Sequence, residues 1–284
     1  MIRAYVELFR LKPIPLIVAM VMFAHYYALQ ETGLGFEWIP AILLFLTTGL
    51  ANGAVFALNQ YYEKDADARM VRTRTRPIPS GRINPKTAFR LGLSIFILSI
   101  LLQAVLINSN TAMATFLCGA VYVWAYTPMK NRTGFSTLVG SLPGAILPFI
   151  GWYSVTQGTN LMIVWMSIMI FLWQTPHTFV IVFRHRREFE SAGGKQMEII
   201  AGEQASIRQS VWYTAANFPL ILIPVVFNVS GSVYLTIAFA LSALALIMSL
   251  LFYRQRTEQS AKRFFLFMLS YLPVLFVVMT VDRL

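Results

Sequence analysis

Charge is what this chain has least of. Asp, Glu, Lys and Arg make up 12% of its 284 residues, while 57% are hydrophobic; a soluble globular domain carries about 25% charged residues. One soluble core cannot absorb that excess of apolar side chains. An ordinary water-soluble fold is excluded and a membrane solvent is implied, because spanning helices can be apolar on every face. Cysteine is nearly absent too. Cys118 stands alone, which excludes a disulfide framework, a thiolate metal site and a haem-attachment motif; set within an apolar run, it reads as a small buried hydrophobe. Acidic residues are outnumbered, 12 against 23 basic ones, for a net charge of +11. In a soluble protein that balance points to nucleic acid. Here the basic residues lie in short loops between apolar runs and act as topology signals, so no nucleic-acid partner is expected.

What is present in abundance is apolar runs. A span needs about 20 mainly apolar residues, and nine segments approach that length: 14–30, 39–58, 91–107, 112–126, 136–154, 162–183, 211–229, 233–253 and 264–281. The first follows Arg3, Arg10 and Lys12 but carries His25 and two tyrosines, lacks a small-residue cleavage site and precedes further spans, so it reads as a retained first helix rather than a signal peptide. With nine helices and the N-terminus inside, segments 1–13, 59–90, 127–135, 184–210 and 254–263 hold 22 of the 23 Lys and Arg. That alternation predicts an all-α, polytopic membrane protein of nine transmembrane helices, N-terminus cytoplasmic, forming one domain over 1–284. Gly140, Gly144 and Gly151 predict close helix–helix approach along the fifth segment. The two longest inside loops follow segments two and six, a spacing compatible with a parallel internal repeat.

The polar stretch from Asn59 to Arg76 carries the chemistry. If helix two continues past the membrane boundary, Asn59, Glu63 and Asp67 fall at i, i+4 and i+8 and drift by only about 80°, so they share a face. Two carboxylates and an amide make a platform for Mg²⁺, which takes few protein ligands and bridges to substrate phosphates. Asp65 points away from that row. Arg72, Arg74 and Arg76 follow, then Pro77, which ends the helical reading. Carboxylates for a metal followed by guanidinium forks suit a diphosphate; the bland alternative is a solvated, salt-bridged loop that only sets topology. Glu188, in the second polar loop after helix six, is a candidate for a further metal or phosphate contact. Trp173-Gln174-Thr175-Pro176-His177 places an ionisable group inside helix six, a functional candidate, whereas a histidine beside a proline is usually bonded to freed carbonyls. His25 reads as structural.

On these residues the chain resembles the UbiA-type intramembrane prenyltransferases, over residues 12 to about 203. Asn59…Glu63…Asp67 is similar to that family's Asn-x3-Asp-x3-Asp motif, and Arg72-Thr73-Arg74-Thr75-Arg76-Pro77 to the Arg-Thr-x-x-Arg-Pro signature of its haem-modifying branch. Lys12-Pro13, Tyr126-Thr127, Lys130, Arg132-Thr133, Gly140, Gly144-Ala145, Pro148 and Gly151-Trp152 follow that branch's spacing, and Trp173-Gln174-x-Pro176-His177 and Ala192-Gly193 match two more of its stretches. Departures occur at Glu63 for Asp, Ser136 for Asn, Thr178 for Phe, Glu188-Phe189 for Asp-Tyr, and Gln196 for Pro.

The resemblance implies helices around a central cavity, and transfer of a farnesyl group from farnesyl diphosphate to a vinyl group of haem B, giving haem O. It implies Mg²⁺ on Asn59, Glu63 and Asp67, with Glu188 as a further ligand; Arg72, Arg76, Lys130 and Arg132 on the diphosphate; and Trp173, Gln174 and His177 at the haem. The setting it implies is the bacterial inner membrane, with membrane lipid around the helices, the diphosphate site on the cytoplasmic face, and a haem A synthase or oxidase assembly factor receiving the product. Two other readings fit the residues: prenylation of an aromatic quinone precursor, and a non-enzymatic transporter or scaffold.

Overall fold

The computed structural model describes residues 1–195 and 197–283, apart from the side chains of Met197 and Glu198. The departure at Gln196 therefore lies outside the described residues. A short helix α1 (Ile2–Leu8) turns into α2 (Ile14–Thr32), which ends on Gly33 at φ 68°. Then come α3 (Trp38–Tyr62), α4 (Lys64–Arg69), α5 (Pro85–Leu106) and α6 (Ser109–Ala120). The chain passes through a π-helical segment, Val121–Tyr126, into α7 (Thr127–Met129). It continues as α8 (Ser136–Tyr153), α9 (Leu161–Ser191), α10 (Met197–Ile200), α11 (Glu203–Leu220), α12 (Ile223–Val226), α13 (Ser232–Gln255) and α14 (Glu258–Val281). Among the described residues the only β pairing is an isolated Ser230–Arg283 bridge.

Among the described residues, eight helical spans are long and apolar enough to cross a membrane: Ile14–Thr32, Trp38–Tyr62, Pro85–Leu106, Ser109–Met129, Leu161–Ser191, Glu203–Val226, Ser232–Gln255 and Glu258–Val281. The expected fifth segment also forms a helix, α8, but falls outside that set. Its prolines, glycines and serines dilute its hydropathy, because it is built to pack rather than to face lipid. Gly144 lies against Ile170 of α9, a Cβ there meeting it at 3.3 Å, and Gly151 lets α8 press on the Val21 carbonyl of α2, where a Cβ would overlap. These are the close approaches that the glycine spacing predicts.

The expected inside segments meet one another. Glu7 pairs with Arg82, Glu63 with Lys130, Arg72 with Glu188, and Arg184 with Glu258. At the opposite end Glu31 pairs with Arg283, and Asn108 donates to the Tyr153 carbonyl. The basic loops thus share one end of the bundle. The core between the ends is apolar, centred on Tyr27, Ile150, Trp165, Met169, Tyr271 and Phe276. Leu46, Ile97, Leu101, Val105 and Ile247 point outward and exposed, as they must if lipid is the solvent.

Candidate active site

A cavity of about 540 Å³ opens toward the basic end, within the range of a small-molecule site. Its chemistry starts where α3 stops. The helix breaks at Glu63 (φ −92°, ψ 2°), yet Glu63 N still donates to the Asn59 carbonyl at 2.9 Å and Asp67 N to the Glu63 carbonyl at 2.8 Å. The i→i−4 register survives the break, so Asn59, Glu63 and Asp67 all line the cavity. Asp65 is exposed and, among the described residues, pairs only with Lys64, at 3.5 Å, as the face geometry requires. The helix itself ends at Arg69, before Pro77. The chain turns there because Thr73 Oγ1 donates to the Asp67 carbonyl at 3.0 Å, and the fold-back carries Arg76 to the row.

Each carboxylate in the row has a cation. Arg76 Nη1 donates to Asp67 Oδ2 at 2.6 Å, and Lys130 Nζ to Glu63 Oε1 at 2.6 Å. Asp67 is fully buried and its Oδ1 has no partner. Burial raises its pKa above the ordinary carboxylate value, with Arg76 opposing. Burial alone lowers Lys130, but the Glu63 carboxylate outweighs it and holds the ammonium above its usual value. Asn59 gives its amide nitrogen to Thr127 Oγ1 at 3.0 Å, which leaves the amide oxygen for a ligand. Among the described residues no three His, Cys, Asp or Glu side chains converge on one point. Two carboxylates and one amide, with the Asp67 Oδ1 buried and unfilled, nevertheless fit a hard cation such as Mg²⁺.

The π-helical segment shapes the facing wall. Its wider turn is pinned by Thr127 Oγ1, which donates to the Tyr122 carbonyl at 2.8 Å. Tyr122 and Tyr126 line the cavity with ring centroids 5.3 Å apart; Lys130 sits 4.6 Å over Tyr126, and Phe56 stands edge-on to Tyr122 at 6.1 Å. Nothing in the residue pattern signals this irregular turn except a run of aromatics.

Arg72 lines the cavity, over the Phe189 ring at 5.9 Å, and burial lowers its pKa. Its backbone N–H reaches Glu188 Oε2 at 3.4 Å. Glu188 itself does not line the cavity. Arg132 is exposed and lies outside the lining.

Arg10 takes a place that its flanking position does not announce. Read from sequence it is a topology charge; in the fold its guanidinium lies 5.1 Å over Phe56 inside the cavity. Its backbone is left-handed, φ 46°, a conformation costly for a residue with a Cβ. The buried Gln60, next to Asn59, holds that turn by donating to the Leu8 carbonyl at 2.6 Å and to the Glu7 carbonyl at 3.3 Å. The cavity lining thus carries four cationic side chains (Arg10, Arg72, Arg76 and Lys130) against two carboxylates, Glu63 and Asp67. The surplus suits an anionic ligand.

Deeper in, the cavity turns apolar. His177 is stacked between Trp173, at 4.8 Å, and Phe265, at 4.7 Å. Trp173 is fixed by Nε1 donating to the Met268 carbonyl at 2.8 Å, and Gln174 lines the same wall. His177 Nδ1 is buried without a hydrogen-bond partner. It does not satisfy carbonyls freed by Pro176, which is the arrangement a merely structural histidine would show. His25 differs: Nδ1 pairs with Ser154 Oγ at 2.7 Å, far from this wall.

Comparison with known proteins agrees with this geometry. The UbiA prenyltransferase family matches residues 16–271. The chain is 35% identical over 246 residues to a protoheme IX farnesyltransferase of Myxococcus xanthus, covering 86% of this chain and 84% of that one. It is 34% identical over 243 residues to one of Anaeromyxobacter dehalogenans, covering 86% and 82%. Among solved structures it superposes on a digeranylgeranylglyceryl phosphate synthase with TM-score 0.78, at 16% identity over 99% of this chain and 98% of that one. On a UbiA homologue from Archaeoglobus fulgidus bound to GPP and Mg²⁺ the TM-score is 0.65, at 15% identity over 98% and 99%.

Proposed function

The chain belongs to the UbiA prenyltransferase family, and we propose that this integral, multi-pass membrane enzyme transfers a farnesyl group from farnesyl diphosphate to a vinyl group of haem B, releasing diphosphate and giving haem O. The observation that carries this reading is one cavity with two unlike ends: a cation-rich row at its mouth, and His177 held between Trp173 and Phe265 within. The relatives named for this activity agree with it.

Asn59, Glu63 and Asp67 would hold Mg²⁺ in this reading, which would supply positive charge against the diphosphate. Arg76 and Lys130, which pair with Asp67 and Glu63, line the cavity where the diphosphate would sit. With Arg10 and Arg72 they neutralise the charge that builds as the bond from carbon 1 to oxygen breaks. Tyr122, Tyr126 and Phe56 offer π faces to the carbocation-like prenyl group. The apolar walls beyond keep water from quenching it. The vinyl group of the acceptor gives its electron pair to carbon 1, and the cation left beside the macrocycle is closed by water, whose proton departs. His177 serves the acceptor, as its ligand or as the base for that proton.

The remaining assignments rest on the same reading. α8 makes a ninth crossing, the N-terminus and the basic end face the cytoplasm, and the membrane is the bacterial inner one. Arg132 and Glu188, outside the cavity lining, act at the rim, and a haem A synthase or oxidase assembly factor receives the product. The test is purified protein with farnesyl diphosphate, Mg²⁺ and either haem B or an aromatic acid acceptor. Prenylated haem with released diphosphate is expected; prenylation of the aromatic acid alone contradicts the proposal.

A further inference from the structure

α9 and α14 run antiparallel, with matched positions that step along both helices. Trp173 bonds to Met268, His177 stacks on Phe265, and Arg184 pairs with Glu258. Arg184 is seven residues beyond His177, and Glu258 seven before Phe265. Seven residues are two turns, about 10 Å of rise, and return to within about 20° of the same face. The Arg184–Glu258 pair therefore stands directly above the His177–Phe265 stack, toward the basic end. Ile181 and Val182 of α9 and Phe265 and Leu269 of α14 line the cavity along this wall. α9 departs from helical geometry only at His185, so the helix is regular from His177 to Arg184.

The pair is poorly made. Nη2 and Oε1 are 3.4 Å apart, Arg184 is 26% exposed and Glu258 76%. Arg184 Nε is buried with no partner, and Glu258 is the one carboxylate it pairs with among the described residues. A guanidinium is a planar fork of five donors shaped for a carboxylate. Here the fork holds a mostly solvated glutamate by one long contact and leaves an inner donor unfilled.

We infer that Arg184 is the carboxylate-binding residue at the mouth of the acceptor slot, and that it takes a propionate of the porphyrin in place of Glu258. The inference rests on the haem reading above. A macrocycle laid against Trp173, His177 and Phe265 must keep its ionised acid edge at the aqueous end, because a carboxylate at membrane depth is costly. Arg184 stands at that end, just outside the cavity lining and about one turn past Ile181, with a donor to spare.

The experiment is a titration of wild type, Arg184→Gln, Arg184→Lys and Glu258→Gln in lipid nanodiscs with haem B and with its dimethyl ester, followed by the Soret band. The same samples are assayed for prenylated haem by mass. Arg184→Gln should weaken haem B binding by about ten- to a hundredfold, the worth of one charge-assisted bond, with KM for farnesyl diphosphate unchanged. Arg184→Lys should recover part of the loss, and Glu258→Gln should bind at least as tightly as wild type. The dimethyl ester should bind wild type as weakly as haem B binds Arg184→Gln, which repeats the test without a mutation. Equal affinity of wild type for haem B and its ester, or of wild type and Arg184→Gln for haem B, overturns the inference. Arg184-dependent haem binding with no prenylated product overturns the proposed reaction and leaves the carboxylate site standing. Failure of wild type to bind haem overturns both.

Discussion

Replacing Arg10 by glycine separates substrate binding from stability. Arg10 sits at φ 46°, a left-handed conformation that costs a residue with a Cβ about 1–2 kcal/mol and glycine nothing. Against that relief stand the contact of the guanidinium with Phe56 at 5.1 Å, worth about 0.5–1 kcal/mol, and the extra freedom of glycine in the unfolded chain, about 0.5–1 kcal/mol. The terms cancel to within about 1 kcal/mol, so the unfolding midpoint should move by only a few degrees. Binding has no such cancellation. Loss of one charge-assisted contact to phosphate, about 1.5–3 kcal/mol, lowers kcat/KM for farnesyl diphosphate by about ten- to a hundredfold. The assay is steady-state kinetics beside thermal unfolding in the same detergent. A kcat/KM within threefold of wild type refutes the reasoning, and so does an activity loss that merely follows a fall in unfolding temperature.

Other consequences follow from single contacts. Gln60→Leu removes the donors that hold the turn before Arg10; KM for farnesyl diphosphate should rise several-fold while haem affinity, read by the Soret band, stays put. Gly151→Ala drives a methyl into the Val21 carbonyl and should cost about 1–3 kcal/mol, seen as a lowered unfolding temperature; an unchanged one sinks the packing claim. Lys130 is held above the ordinary lysine value, so the stabilisation from its pair with Glu63 is complete below the unfolded pKa of about 10.4 and is lost only as pH rises through the higher folded value. Activity should show no basic limb from Lys130 below about pH 10, and a limb near pH 8–9 that shifts in Lys130→Arg would contradict this. Asp67→Asn should abolish Mg²⁺-dependent turnover; equal Mg²⁺ response in that variant would remove Asp67 from the metal site.

The legible part of this protein is the part that bilayer thickness and helical period dictate. Eight of the expected spans reappear within a few residues of their predicted ends, apart from N-terminal extensions of several residues in α5, α11 and α14 and a C-terminal extension of eight residues in α9, because each must cover the same thickness of hydrocarbon. The Asn59–Glu63–Asp67 row is legible because i→i−4 bonds carry it through the break at Glu63, where a strict helix boundary would have scattered it. α8 is the helix that composition undersells, since its glycines serve helix contact and lower its hydropathy. Partnerships between distant segments are not legible. Nothing near Arg10 announces that Gln60, fifty residues on, aims it into the cavity. Nothing near His177 names Phe265 as its other face, and Glu188 gives no sign that it meets Arg72 rather than the cavity. A basic residue in a loop satisfies the topology signal whether or not it also binds substrate, so composition cannot separate the two roles.

The most direct test of the central claim, that one cavity joins a diphosphate end to a haem end, is the product mass from wild type, Asp67→Asn and His177→Ala given farnesyl diphosphate, Mg²⁺ and haem B. Wild type should yield prenylated haem and an equal amount of diphosphate. Asp67→Asn should yield none while still binding haem, and His177→Ala little or none while still binding farnesyl diphosphate. Prenylated haem from Asp67→Asn at the wild-type rate, or none from wild type under conditions where an aromatic acid is prenylated, would contradict the account.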